Sequence, residues 1–162
     1  MSDESSRPAR LRLASFSDAE SLTDMRFEWD QPGISPTEEE RTSFTGSSRD
    51  GGSRRSFGVC APSPRSTVSS LGGAWLLLHE RVPNPPRFGR AGGDIQSVYF
   101  RPKYRRTGIG RDLVRLLLAE GERRGISRFT VDSNDHALRL YQGEGFVRSH
   151  LRLERTRTLG TS

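Results

Sequence analysis

The apolar positions are sharply patterned in the second half of the chain and weakly patterned in the first. Asp94-Ile95-Gln96-Ser97-Val98-Tyr99-Phe100 is dense in β-branched and aromatic residues and predicts a strand. Pro102 closes it, because proline cannot donate to a sheet ladder. After the loop Arg105-Arg106-Thr107-Gly108-Ile109-Gly110-Arg111, Leu113, Leu116 and Leu117 recur at helical spacing, predicting a helix from about Gly108 to Arg124. A second strand is expected over Phe129-Thr130-Val131-Asp132, and a short helix over 135–144. Val147, Ser149, Leu151 and Leu153 then alternate with Arg148, His150, Arg152 and Glu154, so a last strand with one exposed face is expected.

The first half reads less clearly. Residues 1–9 are expected to be a disordered lead and 156–162 a frayed tail, with one domain over 10–155. Arg10-Leu11-Arg12-Leu13-Ala14 alternates and predicts a half-exposed strand. Ser17-Asp18-Ala19-Glu20 fits a capping box, followed by Leu22, Met25, Arg26 and Trp29 at helical spacing. Residues 37–45 could open a second helix. From Gly46 to Leu71, Ser, Arg, Gly and Pro dominate, and only Phe57-Gly58-Val59-Cys60-Ala61 offers a short strand. Two readings of this window stand side by side. It is a long loop, tolerated because loop entropy grows slowly with length, or a compensated reading-frame slip in the gene, suggested by the abrupt return of core sequence at Gly73-Ala74-Trp75-Leu76-Leu77-Leu78. The encoding DNA separates them: a shifted frame that reveals no amphipathic helix removes the second. Trp75 to Val82 predicts a third strand, ended by Pro83-Asn84-Pro85-Pro86.

Strand, glycine-bearing turn and helix in this order aim several backbone N–H groups and a helix N-terminus at one spot, which suits phosphate. No G-x-G-x-x-G is present, so a dinucleotide fold is not indicated. The second half of the stretch sharpens the reading: Asn134-Asp135-His136-Ala137-Leu138-Arg139-Leu140-Tyr141-Gln142-Gly143-Glu144-Gly145-Phe146 follows the second strand. The run R-x-x-G-x-G/A after a V-x-x-x-P strand, then N-x-x-A-x-x-L-Y-x-x-x-G-F, resembles the GNAT superfamily of acetyl-CoA-dependent N-acyltransferases over residues 94–147. The resemblance implies an α/β fold: a mixed, mainly antiparallel sheet with splayed central parallel strands, flanked by helices.

It also implies chemistry. Acetyl-CoA would be the co-substrate, and an amine the acceptor of an acetyl group moved by direct attack. Backbone groups of Val98 and Phe100, with Tyr99 between them, would hold the pantetheine arm. Amides of Arg106, Thr107, Gly108, Ile109, Gly110 and Arg111 would hold the pyrophosphate, with Arg105, Arg106 and Arg111 adding charge. Tyr141 stands where the family's acid protonates the leaving thiolate; a purely packing Tyr141 is the alternative. Asn134 would bond the cofactor arm or cap its helix. Asp94 stands near the family's base position and shares a face with Gln96; His79 and Glu80 compete for that role, and a turn role for Asp94 is equally open. Trp29, Asp30 and the loop through Pro36 are secondary acceptor-site candidates, with core packing as the other reading of Met25 and Trp29.

Composition narrows the setting. The chain has 162 residues, 31% of them hydrophobic, a net charge of +6 and a pI of about 10.6, with Lys103 the only lysine. A basic balance suits an anionic ligand such as coenzyme A. Nucleic acid is not favoured as a partner, because the arginines are scattered and form no stripe with aromatics. One cysteine, Cys60, excludes an internal disulfide; no apolar run reaches membrane-spanning length, and the N-terminus lacks an apolar signal region. A cytoplasmic protein without a membrane partner is expected. Three histidines and one cysteine lie far apart, giving no metal-ligand spacing. A catalytically impaired or regulatory acetyl-CoA-binding protein is the alternative reading, and a homodimer stays open.

Overall fold

The computed structural model describes residues 11–43, 56–62, 70–86, 88–150 and 152–156. The expected lead over 1–9, residues 157–162 of the expected tail and most of the weakly patterned window (46–55 and 63–69) lie outside the described residues. The strands are β1 (Arg12–Leu13), β2 (Ser56–Pro62), β3 (Ser70–Glu80), β4 (Ala91–Phe100) and β5 (Phe129–Val131). They form one sheet in sequence order, with β1 to β4 antiparallel and β5 parallel to β4. The helices are α1 (Ala19–Asp30), α2 (38–43), α3 (Ile109–Arg123) and α4 (Asp135–Gly143). This is the mixed, mainly antiparallel α/β sheet the motifs imply.

The two faces of the sheet are covered differently. On one, α3 buries Leu113, Val114 and Leu117 completely against Ala74, Leu76, Ile95 and Phe100, and Tyr141 of α4 joins them. Fully burying an aliphatic side chain contributes about 1.5–3 kcal/mol, so this one stripe rivals the ~5–15 kcal/mol net stability of a domain. On the other face α1 lays Leu22 and Met25 against Tyr99, with Trp75 packed beside them. Close approach fixes Gly72 at the seam. A Cβ there would sit 2.6 Å from the Tyr99 carbonyl oxygen and inside the Phe100 ring edge.

β4 carries an irregularity that reverses its alternation. Gly73 pairs with Tyr99 and Trp75 with Gln96, so two steps on β3 match three on β4. The extra residue makes a bulge at Ser97, whose φ of 55° lies in the left-handed region. An even strand would give Tyr99 the face of Ile95. The bulge instead sends Val98 and Phe100 to the α3 face and Tyr99 to the α1 face.

Several local expectations are corrected. β4 begins at Ala91, three residues before Asp94, and β3 starts at Ser70 and stops at Glu80, so Val82 is outside it. The chain enters α1 through a 3-10 turn (Phe16–Asp18), and Asp18 caps it without a side-chain bond. Ser17 hydroxyl pairs with that of Ser15 rather than closing a capping box with Glu20. The reciprocal pattern forms instead at α2: the Thr37 amide donates to Glu40 Oε2 (2.8 Å), and the Glu40 amide donates to Thr37 Oγ1 (3.3 Å). The last predicted strand is absent from described residues 147–150 and 152–156, where Val147 and Leu153 are almost fully exposed. Alternation fixes which face a strand would bury; a ladder also needs an edge, and β5 is only three residues long.

Asp18 ties β1 to α1. Its carboxylate accepts from Arg12 at 2.6 and 2.7 Å, and from the amide and hydroxyl of Ser15. The Arg12 guanidinium is the main reason its pKa falls from 3.8 to about 2. A depressed carboxyl pKa stabilises the fold above the unfolded value, and that contribution is lost as pH falls from about 4 to about 2. Arg12 is partly exposed, so the contribution is on the order of 1–2 kcal/mol after solvent screening. Asp18→Asn is expected to lower the melting temperature at pH 7 and to flatten its acid limb. Parallel wild-type and variant profiles between pH 4 and 2 would contradict this.

Candidate functional site

β4 and β5 pair over only three positions: Gly93 with Phe129, Asp94 with Thr130, and Ile95 with Val131. β5 then ends, and 132–134 lead into α4, while β4 continues to Phe100. The chain turns away here because Asn134 caps α4, its Oδ1 accepting from the Ala137 amide at 3.0 Å. From Gln96 to Phe100, therefore, the β5 side of β4 has no strand partner among the described residues. Such an edge pairs with an extended chain that carries amides of its own.

The phosphate-type turn sits at the end of that edge. A 3-10 turn (Pro102–Tyr104) follows β4, and Gly108 precedes α3 with φ +85°. The Arg111 and Asp112 amides bond the Gly108 carbonyl, whereas those of Arg106, Thr107, Gly108, Ile109 and Gly110 have no acceptor among the described residues. These five amides stand at the positive end of a fifteen-residue helix, an arrangement of the kind that suits an anion. Beneath them Gly110 lies close to Phe100, where a Cβ would make ordinary contact at 3.7 Å.

The expected site residues divide by partner. Arg105 turns back, its Nε donating to the Phe100 carbonyl (3.0 Å) and its guanidinium lying 5.7 Å from the Tyr99 ring centre. Arg111 faces Glu144 at 3.4 Å, which Arg115 also pairs at 2.8 Å. Thr107 donates its hydroxyl to the Tyr104 carbonyl. Arg106, with φ 63°, is exposed and has no partner among the described residues. Two of the three arginines, Arg105 and Arg111, thus have partners within the chain.

Tyr141 sits in the core cluster with Ile95, the last residue of β4 paired to β5, and Phe100, the far end of the unpaired stretch. Phe146 packs edge-on against its ring at 5.7 Å. Burial pushes its pKa up to about 12, and no described group hydrogen-bonds its hydroxyl. Asp94 lies on the opposite face, its carboxylate held by Thr130 Oγ1 (2.7 Å) and Gln96 Nε2 (2.8 Å). His79, opposite Gly92, shares that face; Glu80 alternates to the other and His136 is exposed on α4.

Above this face the end of α1 closes on Tyr99. Trp29 stacks on it at 5.7 Å and 19°, with Arg26 over Trp29 at 4.7 Å. Glu28 accepts from the Tyr99 hydroxyl (3.4 Å) and from Arg101 (2.6 Å). Burial, then the Glu28 charge, raises the Tyr99 pKa. Met25 is core, whereas Trp29 is 40% exposed at the edge of the open face. Sequence reasoning missed Ser97, Thr130 and Glu28. Thr130 could have been found by pairing the two strands in parallel; a bulge residue such as Ser97 carries no local signal.

Gly108→Ala is expected to destabilise the fold by about 1–2 kcal/mol, because a Cβ disfavours the left-handed conformation. Gly110→Ala should cost little. Denaturant titration of the two variants checks the contrast, and equal losses would contradict it.

Comparison with known proteins agrees with this geometry. Residues 71–146 match the acetyltransferase (GNAT) family model. Over 82 residues the chain is 34% identical to a glucosamine 6-phosphate N-acetyltransferase of Trypanosoma brucei brucei, covering 51% of this chain and 53% of that protein. The chain thus aligns with about half the length of this curated relative. Among solved structures, an acetyltransferase of Trypanosoma brucei superposes with a TM-score of 0.72 at 25% identity, covering 92% of this chain and 99% of that one. A predicted acetyltransferase of Clostridium acetobutylicum, solved with acetyl-CoA, gives 0.72 at 19%, covering 91% and 95%. The glucosamine-6-phosphate N-acetyltransferase of Arabidopsis thaliana gives 0.72 at 14%, covering 91% and 97%; these last two share the fold. Residues 71–146, which carry both motifs in order on a sheet that parts between β4 and β5, match the acetyltransferase (GNAT) family.

Proposed function

We propose that this protein transfers an acetyl group from acetyl-CoA to a primary amine by direct attack. The observation that carries the reading is the parting of β4 from β5 beside five orphan amides. The open edge of β4 over Val98, Tyr99 and Phe100 suits an amide-bearing pantetheine arm. The cradle of amides from Arg106 to Gly110 suits a pyrophosphate, with Arg106 as the free cation beside it. Acetyl-CoA supplies the activated thioester; the chain's own residues orient it and manage protons.

A neutral amine must form from an ammonium group, and the leaving sulfur needs a proton. Asp94 is the proposed base, acting directly or through one water, with Thr130 and Gln96 holding its orientation. Tyr141 is the proposed acid. A phenol with a pKa of about 12 stays protonated throughout the neutral range, so it can donate where sulfur gains charge. Asn134 holds α4, and hence Tyr141, through its cap. No helix among the described residues is long and apolar enough to cross a membrane. A cytoplasm containing acetyl-CoA and amines is the compartment that fits this activity, as a monomer or a homodimer.

Release of CoA measured across an amine panel tests the assignment. Tyr141→Phe is expected to lower kcat by about 100-fold or more, with KM for acetyl-CoA nearly unchanged. The wild-type rate should show no loss from tyrosine ionisation between pH 7 and 10, because Tyr141 ionises only near 12. An undiminished kcat in Tyr141→Phe would remove its acid role.

A further inference from the structure

Beyond the end of α1, the face of the sheet that carries Asp94 has exposed positions among the described residues. Cross-strand register sets its rows. Trp75 stands beside Gln96, Leu77 beside Asp94 and Thr130, and His79 beside Gly92. Two further bonds extend the ladder, from the Arg81 amide to the Arg90 carbonyl and from the Gly93 amide to the Arg128 carbonyl, both 2.9 Å. Alternation therefore gives Arg81, Arg90 and Arg128 the same face as His79, Leu77, Asp94 and Thr130. Leu77, His79, Gln96 and Arg128 are exposed.

The three arginines form an electropositive cluster at the end of the face farthest from the parting strands. None has a carboxylate partner among the described residues; Arg90 donates only to the Val82 carbonyl, at 3.2 Å. They lie within electrostatic reach of one another: Arg90 first, then burial and Arg128, lower the Arg81 pKa. Toward the other end stands Asp94, whose bonded partners are the neutral Thr130 and Gln96, while Glu28, beyond Tyr99, is paired with Arg101. Along β4 the face thus runs from the arginine cluster to a single carboxylate, Asp94, bonded to neutral partners.

We propose that this face binds an extended acidic polypeptide as acceptor, its amino group at the parting of β4 and β5 and its carboxylates on Arg81, Arg90 and Arg128. The proposal rests on the acetyltransferase reading and names its substrate class. Length decides between acceptors. Gln96 is four residues from Gly92 and six from Arg90, roughly 13 and 20 Å at strand rise. An amino-sugar phosphate is too short to run from Gln96 to the Arg81–Arg90 pair. An extended peptide covers the span with acidic residues about four to six positions from its reacting amine. A uniform polyanion such as single-stranded nucleic acid would meet Asp94 with like charge.

The test compares peptides with Asp or Glu at positions four to six from a free amino terminus against Asn/Gln counterparts. Acetylation kinetics are run with the full chain and with Arg81→Gln/Arg90→Gln/Arg128→Gln. The acidic peptide should show a KM about tenfold lower than its neutral counterpart. The triple variant should erase that difference and keep the kcat on the neutral peptide. Its melting temperature should be unchanged or higher, since like charges are relieved. Equal KM values, a preference that survives in the triple variant, or stronger binding of glucosamine 6-phosphate or single-stranded DNA would overturn the proposal. If no amine is acetylated, the enzymatic reading fails and fluorescence anisotropy with labelled peptides decides the surface alone. Charge-selective binding lost in the triple variant supports it, and no selective binding overturns it.

Discussion

The three-residue ladder between β4 and β5 is the constraint on which the rest depends. A backbone amide withdrawn from water without a partner costs on the order of 1–3 kcal/mol, so strands normally pair to their ends. Here β4 runs five residues past its parallel neighbour. The cost is small while that edge stays open to solvent, and it becomes a driving force when an amide-bearing chain fills it. α3 holds the geometry by seating Leu113, Val114 and Leu117 on the sheet, and its own N-terminus is thereby fixed beside the opening.

The bulge at Ser97 adds a second consequence. By shifting alternation one step, it puts Phe100 under the helix cradle and Tyr99 under Trp29. One short stretch of strand thus serves two faces, with the phenol of Tyr141 on one side and the carboxylate of Asp94 on the other. The two side chains are thus separated by the plane of the sheet.

Much of this was legible in the residues. The leucine spacing after Gly110 gave α3 nearly to its ends, and the Asn134 motif gave α4 with its cap. Of the two roles open to Asn134, the helix cap is formed, its Oδ1 accepting from the Ala137 amide. Other features were hidden for physical reasons. The bulge depends on the register of a neighbouring strand, which no local pattern records. The contacts of Arg105 with the Phe100 carbonyl and of Arg111 with Glu144 come from packing, which spacing along the chain does not record. The sequence from Val147 to Glu154 alternates well, yet β5 offers it almost no edge. β2 shows the reverse: a short run in a weakly patterned window becomes a strand because β1 and β3 flank it on both sides.

The measurement that tests this account most directly is thermal unfolding of the purified chain with and without acetyl-CoA. A ligand that fills the parted edge and the amide cradle binds the folded state alone. At a hundredfold excess over its Kd it should add about 2.7 kcal/mol, or roughly 5–10 °C in melting temperature for a domain of this size. A single cooperative transition that rises in this way with acetyl-CoA is the predicted result. A cooperative transition whose midpoint ignores millimolar acetyl-CoA would contradict the site itself.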